Sequence, residues 1–403
     1  MPLEYPYPVI FSNITESNEV ASGAITVAGG AGIGKNLSVA GNVNVAKALN
    51  VTSGIVAPNM GMLRNRVING AMRIDQRNNG ALQTITSSSA YTLDRWRIDG
   101  AATGYTSQQI AINNAVAGFT HCWKVTTPAN TSGTASQQFC PLQIIEGNNI
   151  SDFGFGTANA QPVVVSFWVN CSIAGTFGVT LENYNGSIAY YAPYTVTAAN
   201  TWQQFVIYIP ACTSGTWYTD SSIGAYLIFA LNGTAIGTVT TNTWYAGNPY
   251  FLASGGTNLL TYSAATWSVT GVQLEKGIVA TPFEFRLHQL ELQLCQRYYF
   301  RWVALEPYSH FASGGCTSAT MVLVTYQFPV PLRTPPTVGT SGGFAILSNV
   351  GPLVTSIGLD TQSRSTTSIR LDFNTSGGMT TGYVAHVRSN GMSGYWIDFN
   401  AEY

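Results

Sequence analysis

The sequence predicts an all-β protein, and three observations lead to this prediction. Charged residues make up only 9% of the 403 residues, far below the usual share of about a quarter. Runs rich in β-branched and aromatic residues, each bounded by Gly, Asn, Ser or Pro, follow one another along most of the chain, which is typical of strands and turns. Apart from one short segment, apolar residues do not recur with the 3.6-residue period of a helix.

The first segment, residues 1–20, has three prolines in its first eight positions, followed by the polar run SNITESNEV. A Pro-rich extended chain with Tyr and Phe between the prolines can dock against a partner or fray. Because it precedes a predicted oligomeric stalk, we expect it to be an attachment segment.

Residues 25–56 contain a six-residue repeat, written ITVAGG, AGIGKN, LSVAGN, VNVAKA and LNVTSG. Apolar residues at the first and third positions form a short strand with one buried face, and the last position supplies a turn. One such unit buries almost nothing alone, but three identical chains side by side would close a triangular prism. A flexible Gly/Ala linker is the alternative, although a linker has no reason to alternate. We therefore predict a homotrimeric β-prism or β-helix stalk over 21–62, with these residues on its axis: Ile25, Val27, Ile33, Leu37, Val39, Val43, Val45, Leu49 and Val51.

Residues 63–286 read as strand, turn, strand without intervening helices, which predicts an antiparallel jelly-roll sandwich. The best predicted strands are VVVSFWVN (163–170), TFGVTLENY (176–184), WQQFVIYIP (202–210), IGAYLIFALN (223–232) and ATWSVTGVQLEKG (265–277). Within this region, Asp94 lies beside Arg95 and Arg97, so we expect a buried ion pair there, with Trp96 in the core. Glu275 is expected to face solvent or to pair with Arg286.

A short helix connecting two β domains is predicted over residues 287–300. Its apolar face consists of Leu287, Leu290, Leu294 and Tyr298. Residues 301–403 return to strands separated by Gly turns and by the Pro335–Pro336 pair, which predicts a smaller C-terminal β-sandwich.

Bulk composition excludes two classes of partner. The net charge of −1 and the absence of a Lys/Arg cluster argue against nucleic-acid binding. No apolar run approaches the roughly 20 residues of a spanning helix, and the first residues lack a basic start, so membrane insertion is not expected. The cysteines are widely spaced, which predicts buried free thiols in a protein made in a reducing cytoplasm; they are Cys122, Cys140, Cys171, Cys212, Cys295 and Cys316.

Four segments carry a family resemblance. GAITVAGGAGIGKNLSVAGNV resembles the stalk repeats of phage tail fibres, particularly those of phages that infect cyanobacteria and other aquatic bacteria. Three further segments resemble a tail-fibre module described as carbohydrate-binding or jelly-roll-like. They are RNRVINGAMRIDQRNNG, YTLDRWRIDG and VTGVQLEKGIVATPFEFRLHQLELQLCQRYYF. The resemblance implies a homotrimeric virion protein, assembled in the host cytoplasm and mounted on a tail or baseplate protein through residues 1–20. It also implies contact with host surface polysaccharide or lipopolysaccharide, but it supplies no binding residues.

Catalytic signatures are weak in this sequence. A glycosidase needs two carboxylates about 5 to 9.5 Å apart, and no pair stands out among Asp75, Asp94, Asp99, Glu146, Asp152, Glu182 and Asp220. The histidines are isolated in sequence, without a hydrolase or metal motif; they are His121, His288, His310 and His386. The GGAGIGK run lacks the context and the Ser/Thr of a phosphate-binding loop. We expect no enzyme activity and no cofactor; calcium stays an open alternative at the oxygen-rich segment EGNNISD (146–152), which equally forms an ordinary turn.

Sugar binding requires exposed aromatic rings together with amide and hydroxyl groups. Tyr and Trp stand in turn-like surroundings in segments 184–191, 215–220 and 243–248, although for any one of them a place in the core or in a trimer contact is the more ordinary explanation. The candidates are Tyr190, Tyr191, Trp217, Tyr218, Trp244, Tyr245, Trp302, Tyr308, Tyr395 and Trp396. We therefore expect a non-enzymatic adhesin; a polysaccharide-degrading tailspike and a purely structural virion component are the alternatives.

Overall fold

The computed structural model describes residues 63–403 except 87–88, 101–103, 130–138, 233–239, 248–254, 349–350 and 361–362. Before residue 63 it describes only Leu37, whose side chain is 66% exposed. The predicted attachment segment, the predicted stalk and the other predicted axis residues lie outside the described residues. No helix in the described part of the chain is long and apolar enough to span a membrane.

The region before residue 287 is an antiparallel sandwich of two sheets. Its strands are β1 (Gln83–Thr84), β2 (Ser89–Leu93), β3 (Trp96–Asp99), β4 (Thr106–Ala111), β5 (His121–Thr126), β6 (Cys140–Glu146), β7 (Val163–Cys171), β8 (Gly175–Asn183), β9 (Ala189–Val196), β10 (Gln203–Ile209), β11 (Ile223–Ala230), β12 (Trp244–Tyr245) and β13 (Thr266–Lys276). One sheet has the order β1-β4-β5-β13-β7-β10 and the other β12-β9-β8-β11-β6-β3-β2. Strands β5 to β8 alternate between the two sheets, as in a jelly roll. The fold-class prediction is confirmed for this region.

The core of this sandwich is built on large aromatic residues contributed by both sheets. Trp96, Trp123 and Trp267 are fully buried, and Phe229 lies 6.4 Å from Trp96 and 5.1 Å from Trp267 between ring centroids. The prediction that Trp96 is a core residue is confirmed. All six cysteines are free and buried, as predicted.

The helix α1 (His288–Gln296) begins one residue later than predicted. Leu287 precedes it with its side chain 81% exposed, so its predicted place on the buried face is wrong. Leu294 and Tyr298 do pack inward as predicted, together with Cys295, against Ile68 and Ile74. The buried face excludes Leu287 because it is set by contact with residues 68–74, which a local helical pattern does not contain.

The remaining strands form two further antiparallel sheets. They are β14 (Tyr299–Val303), β15 (His310–Ser318), β16 (Met321–Gln327), β17 (Thr337–Ser341), β18 (Phe344–Leu347), β19 (Val354–Leu359), β20 (Ser368–Thr375), β21 (Val384–Ser389) and β22 (Trp396–Asn400). The sheet orders are β14-β22-β17 and β18-β21-β15-β16-β20-β19. Stacked rings of Phe311, Tyr326 and Phe399 help to fill the core between them, with centroids 4.8 and 5.4 Å apart.

The two charge predictions for the first sandwich require correction. Asp94 is buried, but its carboxylate accepts hydrogen bonds from the backbone and side chain of Gln76, while Arg95 pairs with Glu402 and Arg97 with Asp99. Glu275 is also buried. It neither faces solvent nor pairs with Arg286. Its partners are Gln273, Thr281 and, at 3.7 Å, Arg64, whereas Arg286 contacts Glu284 and Glu291. Arg95–Glu402 and Arg64–Glu275 join residues far apart in the sequence, whereas the other pairs lie within 18 residues of each other.

A candidate ligand-binding aromatic cluster

Three segments that are separate in sequence bring aromatic side chains together at one end of the first sandwich. Trp217 comes from the connection between β10 and β11, Trp244 from β12 and Tyr190 from β9. The rings of Trp217 and Trp244 are 5.8 Å apart and nearly perpendicular, and Tyr190 lies 5.4 Å from Trp244. Phe155 contacts both tryptophans, at 4.8 and 5.8 Å. We call Phe155, Tyr190, Trp217 and Trp244 the aromatic cluster.

The exposed edge of this region is a pair of tyrosines. Tyr184 follows the last residue of β8 and Tyr218 follows Trp217, and their ring centroids are 4.5 Å apart with the planes tilted by 47°. Tyr218 is 37% exposed and Tyr184 is half-buried. A hydrogen bond to Tyr184 raises the pKa of Tyr218, so the Tyr218 phenol stays neutral at physiological pH. The pair, which we call the tyrosine platform, offers apolar ring surface with hydroxyl groups attached.

Hydrogen bonds to backbone carbonyls fix the two tryptophans of the aromatic cluster. The indole of Trp217 donates to the Ser214 carbonyl at 3.0 Å, and the indole of Trp244 donates to the Pro210 carbonyl at 2.8 Å. Gly215 has φ of +81°, a conformation that favours glycine. Both indole N–H groups therefore already have acceptors within the protein, which leaves hydrogen bonding to a ligand to neighbouring polar side chains.

The polar rim consists of exposed uncharged groups and one carboxylate. Asn185, Ser187 and Thr219 are exposed beside the platform. Asp220 accepts a hydrogen bond from the Ser222 backbone, which lowers the pKa of Asp220 and keeps it ionised. Amide, hydroxyl and carboxylate groups next to flat aromatic rings are the groups that hydrogen-bond sugar hydroxyls while a ring covers the apolar face of the sugar.

The other predicted residues of the first sandwich are less accessible. Tyr190 and Tyr191 lie within β9 with only 4% and 1% of their surface exposed, so neither is the turn residue that was expected. The ring of Tyr191 lies directly over Gly178, where a Cβ atom would come within 2.2 Å of it. Tyr245 in β12 is half-buried. Of the six candidates in this sandwich, Tyr218 has the most exposed side chain.

The predicted candidates after residue 300 lie on the other sandwich. Trp302 is half-buried, 5.3 Å from Phe311, and Tyr395 is half-buried against the same core. Trp396 is covered by the Arg301 guanidinium at 4.1 Å. Tyr308 is 55% exposed, with Arg388 lying 4.6 Å from its ring. The structure therefore does not gather these four residues into the tyrosine platform.

The sequence placed Tyr184 in a turn-like segment, but Tyr184 was not chosen among the candidates, and Asp220 was considered only for catalysis. A usable signal was present, because Tyr184 immediately precedes an Asn–Gly dipeptide, which marks the turn of a hairpin. The contact between Tyr184 and Tyr218 joins residues 34 positions apart in the sequence. No local pattern contains that contact.

Most of the carboxylates considered for catalysis have partners within the protein. Glu146 binds Arg297 and the Tyr298 hydroxyl, and Asp152 binds Arg66 and Lys276. Both carboxylates of the segment considered for calcium thus contact cationic side chains. Within the described ranges, no group of three or more His, Cys, Asp and Glu side chains is placed to hold a metal ion.

Comparison with known proteins found similarity to solved structures only. No protein-family model and no curated protein sequence matches it. A structural match to the enzymatically active domain of phage CBA120 tailspike protein 4 has a TM-score of 0.28 and 11% identity, and covers 53% of this chain and 22% of that chain.

Two further matches are to carbohydrate-binding modules. TmCBM61, solved with β-1,4-galactotriose, matches with a TM-score of 0.27 and 11% identity, over 53% of this chain and 99% of that module. The family 11 module of Clostridium thermocellum, solved with a mixed-linked tetrasaccharide, matches with a TM-score of 0.23 and 11% identity, over 49% of this chain and 98% of that module.

Proposed function

We propose that this protein is a non-catalytic adhesin of a phage particle, a homotrimeric tail fibre that binds glycan on the host surface. The observation that carries the glycan-binding part is the tyrosine platform. Tyr184 and Tyr218 present ring surface beside Asn185 and Asp220, and Tyr218 directly follows Trp217 of the aromatic cluster in the chain.

The rest of the proposal comes from the sequence. The six-residue repeat predicts three chains on one axis, and the tail-fibre resemblance implies that residues 1–20 attach to the virion tail or baseplate. Three weak sugar sites on one stalk bind a polysaccharide with much higher avidity than one site, without any new contact. Trimerisation and weak individual sites are therefore compatible with firm adhesion.

The test uses the purified full chain and an immobilised panel of bacterial polysaccharides and lipopolysaccharides. For a glycan that the wild type binds, the double variant Tyr184→Ala/Tyr218→Ala should bind at least about tenfold more weakly, since tenfold corresponds to about 1.4 kcal/mol of lost ring contact. Tyr262→Ala is the matched control, because Tyr262 is 41% exposed but belongs to the segment before β13.

Three outcomes would oppose the proposal in different ways. Unchanged binding by the double variant would remove the platform as the site. Release of new reducing ends from a bound glycan would favour a polysaccharide-degrading tailspike. A folded wild-type protein that binds no glycan and does not adsorb to host cells would favour a structural virion component.

A further inference from the structure

Two of the four histidines, which are isolated in sequence, meet on the outer face of the second sandwich. His310 begins β15 and His386 lies in β21, the neighbouring strand. Their ring centroids are 5.6 Å apart, and both side chains are exposed. These two histidines share no sequence motif but are neighbours in the fold.

The two rings converge on one point. Nε2 of His310 is 3.1 Å from the Ser313 hydroxyl oxygen, and Nδ1 of His386 is 2.7 Å from the same atom. The strand register explains this convergence. Ser313 pairs directly with His386, and an irregularity between His310 and Ala312 brings His310 to the same face as Ser313.

The surroundings leave room for a small ion and its water ligands. Gly315, two residues beyond Ser313 on the same strand, is exposed, and a Cβ atom placed there would meet nothing within 4 Å. The cationic side chain that the strand pairing brings closest is that of Arg388, which lies opposite His310 on the neighbouring strand. Its guanidinium lies 4.6 Å from the centre of the Tyr308 ring, an attractive position that holds the charge over the aromatic face.

We propose that His310 and His386 form a binding site for a late divalent transition metal ion, independent of the glycan site. One imidazole nitrogen from each histidine would ligate the ion near the point now shared at Ser313, and water or the Ser313 hydroxyl would complete its coordination. Imidazole nitrogen suits Cu²⁺, Ni²⁺ and Zn²⁺, whereas Ca²⁺ and Mg²⁺ prefer oxygen ligands. A site with two nitrogen ligands and open coordination positions should bind Cu²⁺ most tightly, because affinity for divalent first-row metal ions rises from manganese to copper.

The experiment titrates the untagged full chain with CuSO₄, NiCl₂, ZnCl₂ and CaCl₂ by isothermal calorimetry in a non-coordinating buffer. Copper should bind most tightly, nickel and zinc more weakly, and calcium not at all. His310→Asn and His386→Asn should each lower copper affinity by about tenfold or more, because each removes one of two nitrogen ligands. Melting curves of both variants should match the wild type, since both side chains are exposed.

His288→Asn is the matched control, since His288 is also exposed but lies at the start of α1. Electron paramagnetic resonance of the copper complex should show nitrogen coupling that changes in the His310 and His386 variants and not in the control. Equal copper affinity and identical spectra in all three variants would overturn the proposal. Glycan binding is measured separately, so failure of either proposal is distinguishable from failure of the other.

Discussion

The carboxyl group of Asp94 is a buried acid whose protonation affects stability. Burial raises the pKa of Asp94 to about 6, and the hydrogen bonds from Gln76 and the charge of Arg77 offset only part of that effect. The unfolded chain has an ordinary aspartate with a pKa near 3.9. The folded state therefore holds the proton more tightly. The free energy of unfolding contributed by this group is largest below pH 4 and is lost as the pH rises through 6.

Asp94→Asn tests this pH dependence directly. Between pH 7.5 and pH 4.5 the wild type should gain about 2 kcal/mol of unfolding free energy from Asp94, and the variant should gain none of it. The difference between wild type and variant, measured by urea unfolding, should thus grow by that amount at the lower pH. A difference that stays constant across the two pH values would contradict the raised pKa.

At the scale of elements, the tyrosine platform depends on how closely the end of β6 approaches the segment after Trp217. A Cβ atom on Gly147 would lie 2.4 Å from the Tyr218 carbonyl oxygen and 2.9 Å from that of Asp220. The Asn148 backbone also donates to Asp220 at 2.8 Å. The backbone that carries Tyr218 and Asp220 is therefore fixed against residues 147–148, and only glycine permits this approach.

Gly147→Ala should displace the segment that carries Tyr218. We expect a loss of about 1 to 3 kcal/mol in unfolding free energy, because the clash involves backbone rather than a flexible side chain. Glycan affinity should fall as well, since the ring spacing of the platform changes. Gly315→Ala is the control, because it adds the same methyl group where nothing lies within 4 Å. Equal melting temperatures and glycan affinities for the two variants would refute the proposed role of Gly147.

The elements themselves were largely predictable. The observed boundaries of β7, β8, β10, β11 and β13 lie within two residues of the predicted ones, because buried strands are rich in β-branched and aromatic residues. The face of α1 was less predictable. Its apolar residues occur on more than one side, and the choice between them depends on residues 68–74, far away in sequence.

The candidate site was only partly predictable for a related reason. Turn signals correctly marked segments 184–191, 215–220 and 243–248 as places for aromatic residues, and the structure brings these segments together. Which rings point outward is decided by contacts such as that of Tyr191 with Gly178, which belong to tertiary packing. The His310–His386 pair has the same origin, because a strand register joins residues that share no sequence motif.

On the scale of the whole molecule, buried charges join the two sandwiches. Glu402 is almost fully buried and pairs with both Arg95 and Arg77 of the first sandwich. Arg95 also lies 3.5 Å from the centre of the Tyr298 ring, and Tyr403 donates to the Ser221 carbonyl. Removing one partner of a buried pair typically costs about 3 to 5 kcal/mol. The second sandwich is therefore held against the first through specific polar contacts.

The predicted homotrimer can be tested by substitutions in the six-residue repeat. If Val39 and Val45 face a shared axis, the double variant Val39→Asp/Val45→Asp should convert a trimer into single chains, because three carboxylates at each level cannot be buried together without partners. Ser38→Asp/Asn44→Asp is the matched control, since it adds the same charges at the intervening polar positions and should remain trimeric.

Sedimentation velocity of the full chains measures the mass of each species, and far-ultraviolet circular dichroism checks that the β-sandwiches stay folded. The monomeric variant should also lose avidity for an immobilised polysaccharide while keeping its affinity for a single short oligosaccharide, because each tyrosine platform is intact. A wild-type protein that sediments as a single folded chain at high concentration would contradict the prism. A Val39/Val45 variant that remains trimeric would place the trimer contact elsewhere in the chain.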